Sequence, residues 1–450
     1  MNHPNYTYSQ HIQKLLVLAL PVTVGQLGHI MVGLADTFMA GNLGGTSIAS
    51  VTLAFSFYFP FLFFGLGISS GPSALIAKAH GEENPALIQS LFWQSLYMNI
   101  LTGIILTCFI YLCSSFIHWF NPDMELVNKA KPFLLILLWS IFPIMIFQSF
   151  RQFAEGLSNT RPAMYISWIG NGINVLLNWA LAKGTWGFPE LGLNGIALAT
   201  VISRVLMAIV MVVYVLKNPA LNVYFKNQLY LGVRWKVLKM TVRKSLPVGI
   251  QFSMESGVFS LGAIFIGWLG ATAIASHQIA LNLAAVSYMA ATGLSAAVSV
   301  RVGYEWGAGN VRQIRKAGLT AFMMVSVFML SVSVLFVVLR FQLPALFVSE
   351  KDIIQTTATL LLTAALFQLA DGVQVIGIGA LRGIGDVVAP TLISFAAYWV
   401  IGLPVGYWLT FSQGMGVQGI WYGFTIGLFI AATLMFFRFF LLSGRLLKTV

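Results

Sequence analysis

The sequence predicts an all-α membrane protein: twelve transmembrane helices in two pseudo-symmetric six-helix lobes around a central cavity, with both termini in the cytoplasm. Three observations predict it. The chain of 450 residues is 58% hydrophobic and 8% charged, against roughly 25% charged residues in an average soluble domain. Its apolar residues gather into twelve stretches, each able to supply the roughly 20 helical residues that cross a bilayer. The second half of the chain also repeats the first.

The stretches lie near 15–40, 49–77, 89–117, 132–150, 162–182, 193–216, 246–268, 273–300, 317–339, 355–379, 389–411 and 417–442. They lack the alternation of barrel strands. Backbone in lipid must satisfy its own hydrogen bonds, which leaves helices. Residues Met1 to Gln10 are polar, without the charged start and apolar core of a secretory signal; the expectation is that the first span directs insertion. Cys108 and Cys113 share one stretch and give neither a disulfide framework nor a metal signature.

Charge sets the orientation. With the N-terminus inside, Lys129, Lys131, Lys183, Arg340 and Lys351 fall outside and Arg204 falls within a span; the other 19 of the 25 Lys and Arg fall inside. That excess is the mark of cytoplasmic loops and places both termini in the cytoplasm of a multi-pass inner-membrane protein. It also accounts for the net charge of +12 without nucleic acid, because the aromatic residues fill apolar spans and not basic surfaces. The longest polar connection, Lys217 to Lys244, holds seven of the inside charges. The expected organisation is an N-terminal lobe (1–216), a basic cytoplasmic linker (217–245) containing an interfacial amphipathic helix, and a C-terminal lobe (246–450).

The repeat is ungapped over long runs. Leu20-Pro21-Val22 falls on Leu246-Pro247-Val248, and Leu43 to Ser50 falls on Leu269 to Ser276. Gly67, Ser69, Ser73, Gly81 and Asn84 fall on Gly293, Ser295, Ser299, Gly307 and Asn310. Small residues at matched positions permit close helix packing in both halves. Six spans separate equivalents, so the halves share one orientation and are related by an axis along the membrane normal.

Three acids, Asp36, Glu255 and Asp371, lie inside apolar stretches. A carboxylate in a bilayer costs at least a few kcal/mol, which makes an intramembrane acid a transport-site candidate. Arg204 is the one base set against them; two readings stay open for it, neutralising Asp36 or extending along a cavity wall. Span 5 carries Asn171, Asn174 and Asn178 at helical spacing, which stacks their amides on one face. Such a stripe suits a hard cation or a hydrogen-bond shell around a carboxylate. In the second half Gln251 and Glu255 share a face, as do Gln368 and Asp371, and Gln278 and Asn282 add a third polar stripe. Burial favours the neutral form of a carboxylate, and an organic cation would compete with Na⁺ or H⁺ for its charge. His29, the repeat-equivalent of Glu255, stays open between a titrating group and a neutral imidazole. His277 reads as an ordinary residue beside a loop.

These residues resemble the multidrug and toxic compound extrusion (MATE) family, and its NorM branch in particular. The resemblance rests on Leu20-Pro21 through Ala35-Asp36-Thr37 and Met39-Ala40-Gly41, and on the repeated Ile-Ala-Ser. It extends to Glu255 after Leu246-Pro247, to Gln278 through Asn282, and to Asp371 followed by Gly379-Ala380-Leu381-Arg382-Gly383. It implies an antiporter, exporting small organic cations against inward Na⁺ or H⁺, with no cofactor beyond that ion; the three buried acids and the many Met and Phe residues add an expected preference for aromatic cations. It further implies that Asp36, Asn174, Asn178 and Thr200 form a first-half site and that Glu255 and Asp371 bind the coupling cation, as metal ligands if the ion is Na⁺. Gln251, Gln278, Asn282 and Gln368 complete the candidate set. Phe367 departs from the branch, which offers a tyrosine there; a phenyl ring has no oxygen to give.

Other chemistry finds no footing. Gly67-Ile68-Ser69-Ser70-Gly71 matches a hydrolase nucleophile pattern but lies inside an apolar helix and not at a strand-to-helix elbow. No phosphate-binding loop or zinc-protease helix occurs, so the expectation is a transporter, a monomer, and not an enzyme. The alternative is a flippase for lipid-linked oligosaccharide. That cargo calls for several cavity-lining Arg and Lys, where this sequence offers Arg204.

Overall fold

In the computed structural model the chain is described over residues 6–117, 124–226 and 232–448, apart from the side chains of His29, Ile30, Lys226 and Lys448. Among these residues every regular element is helical. The first half comprises α1 (Tyr8–Gly41), α2 (Gly45–Gly81), α3 (Pro85–Ser114), α4 (Met124–Leu138), α5 (Ile141–Gly156), α6 (Arg161–Lys183), α7 (Gly192–Lys217) and α8 (Pro219–Lys226). The second comprises α9 (Trp235–Gly267), α10 (Ala271–Gly307), α11 (Val311–Val338), α12 (Gln342–Ala345), α13 (Lys351–Gly383), α14 (Val388–Phe395), α15 (Leu403–Tyr407) and α16 (Val417–Lys448).

Helices α4 and α5 form one pass, broken at Trp139 and Ser140, and π-helical turns at Ala396–Gly402 and Trp408–Ser412 join α14 and α15 into another. Eleven passes are long and apolar enough to cross a membrane. The twelfth is α6. Its three asparagines make it polar by comparison, yet its 23 residues rise about 35 Å, enough to cross. The chain is a multi-pass membrane protein of the expected all-helical class.

Sequence chemistry sets the helix ends. Asn84 accepts the Leu87 N–H at 3.0 Å and Pro85 opens α3, so two orphan groups of that terminus need no water. Gly184, at φ 65°, closes α6 in the left-handed conformation that favours glycine. Helix α9 begins at Trp235, earlier than the apolar stretch does, because a helix satisfies its own backbone on either side of a membrane boundary. The expected linker thus holds α8, the start of α9, and residues 227–231, which lie outside the described residues. Leu221 and Phe225 anchor α8 to the core: the Phe225 ring meets Phe92 edge-on at 5.0 Å, and Phe92 meets Phe150 and Phe153 at 4.9 Å.

Packing divides the chain into two compact units. One holds residues 1–23, 81–83 and 254–450; the other holds 24–80 and 84–253. This partition differs from the repeat halves, and small residues explain the difference. In the second unit Gly67 of α2 lies against α9, where a Cβ on it would stand 2.7 Å from the Gly249 Cα. In the first unit Gly293 of α10 lies against α1, where a Cβ would stand 2.8 Å from the Thr23 nitrogen. Gly67 and Gly293 are repeat equivalents, and so are Thr23 and Gly249. Each unit therefore takes the opening turns of the other half's first helix, by the same contact.

That reciprocity makes a matched prediction. Gly67→Ala and Gly293→Ala each force backbone apart and should each cost about 1–3 kcal/mol. The check is the thermal unfolding of each variant in detergent: the two should lose similar stability, and wild-type melting by either would mean the close approach is not needed.

Candidate functional site

The first constellation lies wholly within the unit of residues 24–80 and 84–253. Helix α6 buries Ala163, Ile166, Ser167, Gly170, Asn174 and Asn178, the three-and-four spacing of one helix face. Helix α7 lays Thr200 and Ser203 beside that face, and α1 supplies Asp36. All four predicted first-half residues meet. The Asn178 amide donates to Asp36 Oδ1 at 2.7 Å and to Asn174 Oδ1 at 3.2 Å. Asn174 donates to Thr200 Oγ1 at 3.2 Å, and Thr200 Oγ1 lies 3.1 Å from Asp36 Oδ2. The hydrogen bonds close a ring of four side chains. Asp36, Asn174, Asn178 and Thr200 are at most 2% exposed.

Two polar atoms beside the ring are left over. Asn178 Oδ1 and Asn171 Nδ2 are buried without a hydrogen-bond partner. An unused carbonyl oxygen next to a carboxylate is the acceptor pattern that a cation or a donated proton would satisfy. Asn171 shares the sequence stripe but stays outside the ring.

Among the described residues Arg204 makes no ion pair with Asp36; it borders a cavity that Asp36 also borders, the second of the two sequence readings. Its guanidinium donates to the Tyr58 hydroxyl in a close hydrogen bond and to Ser140 Oγ at 2.8 Å; Tyr58 and Ser140 are themselves 2.9 Å apart. Ser140 is available there because the pass breaks between α4 and α5. A cavity of about 50 Å³, bordered by Asp36, Thr200, Ser203, Arg204 and Tyr58 among others, joins the ring to this network.

The second constellation lies in the unit of residues 1–23, 81–83 and 254–450. Asp371 of α13 is buried and makes no hydrogen bond among the described residues. Glu255 of α9 is half-buried; it accepts from Gln374 Nε2 at 3.1 Å and lies 3.4 Å from Ser394 Oγ. The two carboxyl groups are within electrostatic range of each other, as are Tyr288 and Tyr398 of both acids and Arg382 of Glu255. Gln368 is buried and accepts from Ser287 Oγ at 3.0 Å, with its Nε2 left over. Gln278 and Asn282 bond each other at 3.3 Å on an exposed face and make no hydrogen bond to either acid. Gln251 is buried on α9 but belongs to the other compact unit. The side chain of His29 lies outside the described residues.

Sequence reasoning missed five participants: Tyr288, Gln374, Arg382, Ser394 and Tyr398. Gln374 was within reach, because it stands three residues after Asp371 and continues the Gln368 stripe. Two expectations are corrected. Arg204 is not the one buried base: it is half-buried, whereas Arg151 and Arg301 are buried, each bonded to an acid four residues on, Arg151 to Glu155 at 2.6 Å and Arg301 to Glu305. Counting them as loop charges hid this, since the helices run past the apolar stretches. His277 is not idle beside a loop. It is fully buried and accepts from Trp421 Nε1 at 3.1 Å, and Phe367 meets the same Trp421 ring edge-on at 5.7 Å. No cluster of three or more His, Cys, Asp or Glu able to hold a metal occurs among the described residues.

Known proteins share the sequence and the fold of this chain. The MatE family model matches the chain twice, over residues 21–180 and 247–408, and its two starts are repeat equivalents. The multidrug resistance protein MdtK of Yersinia pseudotuberculosis serotype O:1b (strain IP 31758) is 33% identical over 437 residues, 96% of this chain and 95% of that protein. MdtK of Photorhabdus laumondii is 32% identical over 436 residues, with the same coverage. Among solved structures, the eukaryotic MATE transporter AtDTX14 superposes with a TM-score of 0.87 at 22% identity, covering 96% of each chain. An outward-facing multidrug resistance MATE transporter of the MOP superfamily gives 0.88 at 21%, covering 99% of each. At such identities the structures speak to the fold.

The ring separates two asparagines of one stripe. Asn178→Ala removes a donor to Asp36 and should cost about 1–3 kcal/mol. Asn171→Ala removes an amide nitrogen that has no partner and should cost clearly less. Melting of the two purified variants side by side checks the assignment, and equal losses would dissolve the ring as a unit.

Proposed function

The chain belongs to the MatE family, and from that premise we propose that it is a multidrug exporter of the cell inner membrane that exchanges small organic cations for an inward-moving Na⁺ or H⁺. Its termini lie in the cytoplasm, it works as a monomer, and it catalyses no covalent chemistry. One observation carries the exchange reading: Asp36 is held by neutral donors only, Asn178 and Thr200, while the guanidinium bordering the same cavity is engaged by Tyr58 and Ser140. A carboxylate so held keeps an unmet demand for positive charge, in a medium where ionic interactions are strong.

The demand gives the coupling. A small cation and an organic cation satisfy the same negative charge, so occupancy by one disfavours the other. Inward movement of one elementary charge supplies about 2.3 kcal/mol per 100 mV. If binding alternates between the two membrane faces, that free energy drives the cargo outward. Glu255 and Asp371 supply a second pair of carboxyl groups within range of each other, and Gln374 and Ser394 orient Glu255. Aromatic cargo is the expected preference, since Phe and Met make up 35 and 17 residues and such side chains repack around varied shapes.

A flippase for lipid-linked oligosaccharide finds less support. Its anionic cargo needs free arginines and lysines, and the buried Arg151 and Arg301 are already engaged by Glu155 and Glu305.

Inverted membrane vesicles test the proposal, with ethidium as a fluorescent aromatic cation and Na⁺ and pH gradients imposed separately. One gradient should drive ethidium movement by the wild-type protein, and Asp371→Asn should abolish that movement while the protein still inserts at wild-type level. Full gradient-driven movement by Asp371→Asn would remove the second constellation from the mechanism.

A further inference from the structure

We propose that Arg204 is a positioning residue for ion exchange at Asp36: a tethered counter-cation, held off the carboxylate by Tyr58 and Ser140, that sets how tightly the coupling cation is bound. The inference rests on the antiport reading above and adds to it a residue that tunes ion affinity without touching the cargo.

The geometry begins on α7. Thr200 and Arg204 stand one turn apart on the same face. Thr200 closes the ring on Asp36, and Arg204 borders the same cavity of about 50 Å³. Among the described residues Arg204 makes no ion pair. Its charge is met by two hydroxyl oxygens, and both are rigidly placed. Tyr58 and Ser140 are fully buried and 2.9 Å from each other, and Ser140 Oγ is 2.6 Å from the Leu137 carbonyl at the break in the fourth pass. The Tyr58 ring also lies within 5.7 Å of the guanidinium carbon. Among the described residues, Asp36, Tyr58 and Arg204 are the ionisable side chains bordering the cavity.

An untethered arginine beside a buried carboxylate would form a bidentate, charge-assisted pair and shut the ion out. A neutral residue there would leave an arriving cation nothing to displace and nothing to balance the carboxylate after release. A guanidinium fixed one cavity away lies between these limits. It repels the incoming cation through a low-dielectric gap, which weakens binding, and it compensates Asp36 once the cation has gone, which favours discharge. The tether decides the strength of both effects. Loosening it should let the guanidinium approach Asp36, whereas removing the charge should do the reverse.

The two changes therefore act in opposite directions, which a merely structural role would not produce. The experiment uses the full-length protein in proteoliposomes, with ethidium as cargo and Na⁺ and H⁺ titrated separately as drivers. Arg204→Gln should lower the half-saturating concentration of the driving cation by roughly tenfold, the size of a unit charge removed at cavity distance. Tyr58→Phe, which deletes one tether oxygen, should raise it, and Arg204→Lys should return it toward wild type. Shifts of the same sign, or none in either variant, would overturn the proposal. If Arg204→Gln does not fold, Tyr58→Phe decides alone, and an unchanged or lowered value overturns it. A wild-type protein that moves ethidium under neither gradient defeats the antiport reading itself; normal wild-type exchange with unshifted variants defeats this inference alone.

Discussion

A negative charge in an apolar helix bundle is tolerable only when something answers it, and Asp36 is answered by groups that carry no charge of their own. Asn178 and Thr200 bond its two oxygens, Asn174 braces both, and the nearest guanidinium along α7 is directed to Tyr58 and Ser140. Neutral donors hold the carboxylate in place without cancelling it. Buried pairs elsewhere show the alternative. Arg151 and Glu155 satisfy each other within one helix turn, as do Arg301 and Glu305, and neither pair has charge left to offer a cation. The contrast between paired acids and braced acids separates framework from candidate site.

The repeat then explains why the chain packs as it does. Duplicated halves could have folded as two independent six-helix bodies. Instead the opening turns of α1 pack with the second half and those of α9 with the first, each through a residue without room for a larger side chain. Equal sequence at Gly67 and Gly293 makes the two exchanges equal in form. The consequence reaches the sites, because the helix that carries Asp36 and the helix that carries Glu255 each contribute to both compact units.

Much of this was legible in the sequence, and what was not has physical reasons. Apolar length gave the passes, and only α6 strained that criterion, since the residues that make it functional also make it polar. The ring was legible because Asn174 and Asn178 sit on one helical face, Asp36 had no other role open to it, and family resemblance paired them with Thr200. The destination of Arg204 was not. Its partner Tyr58 lies on α2 and Ser140 at a helix break, and no periodicity within α7 points to either. Tyr288 and Tyr398 escaped notice for a similar cause: one tyrosine in a long apolar helix carries no signal until another helix brings an acid beside it. The burial of His277 was not legible from its place beside a loop, because Trp421, which bonds it, lies far along the chain.

On the proposed antiport reading, Na⁺ and H⁺ place different demands on these sites. A proton needs one basic oxygen, which Asp36 carries, and the buried Asn178 Oδ1 beside the ring has no hydrogen-bond partner. Na⁺ needs several oxygens at once. Asp36, Asn174, Asn178 and Thr200 all carry them, but the ring hydrogen bonds engage most, so Na⁺ entry must open bonds that now hold the carboxylate. In the second unit the phenyl ring of Phe367 packs on Trp421 and offers no oxygen, while the hydroxyls of Tyr288 and Tyr398 lie within electrostatic range of both acids. The ring around Asp36 is the discriminator: a proton needs a single oxygen of Asp36, whereas Na⁺ must exchange the ring's hydrogen bonds for coordination.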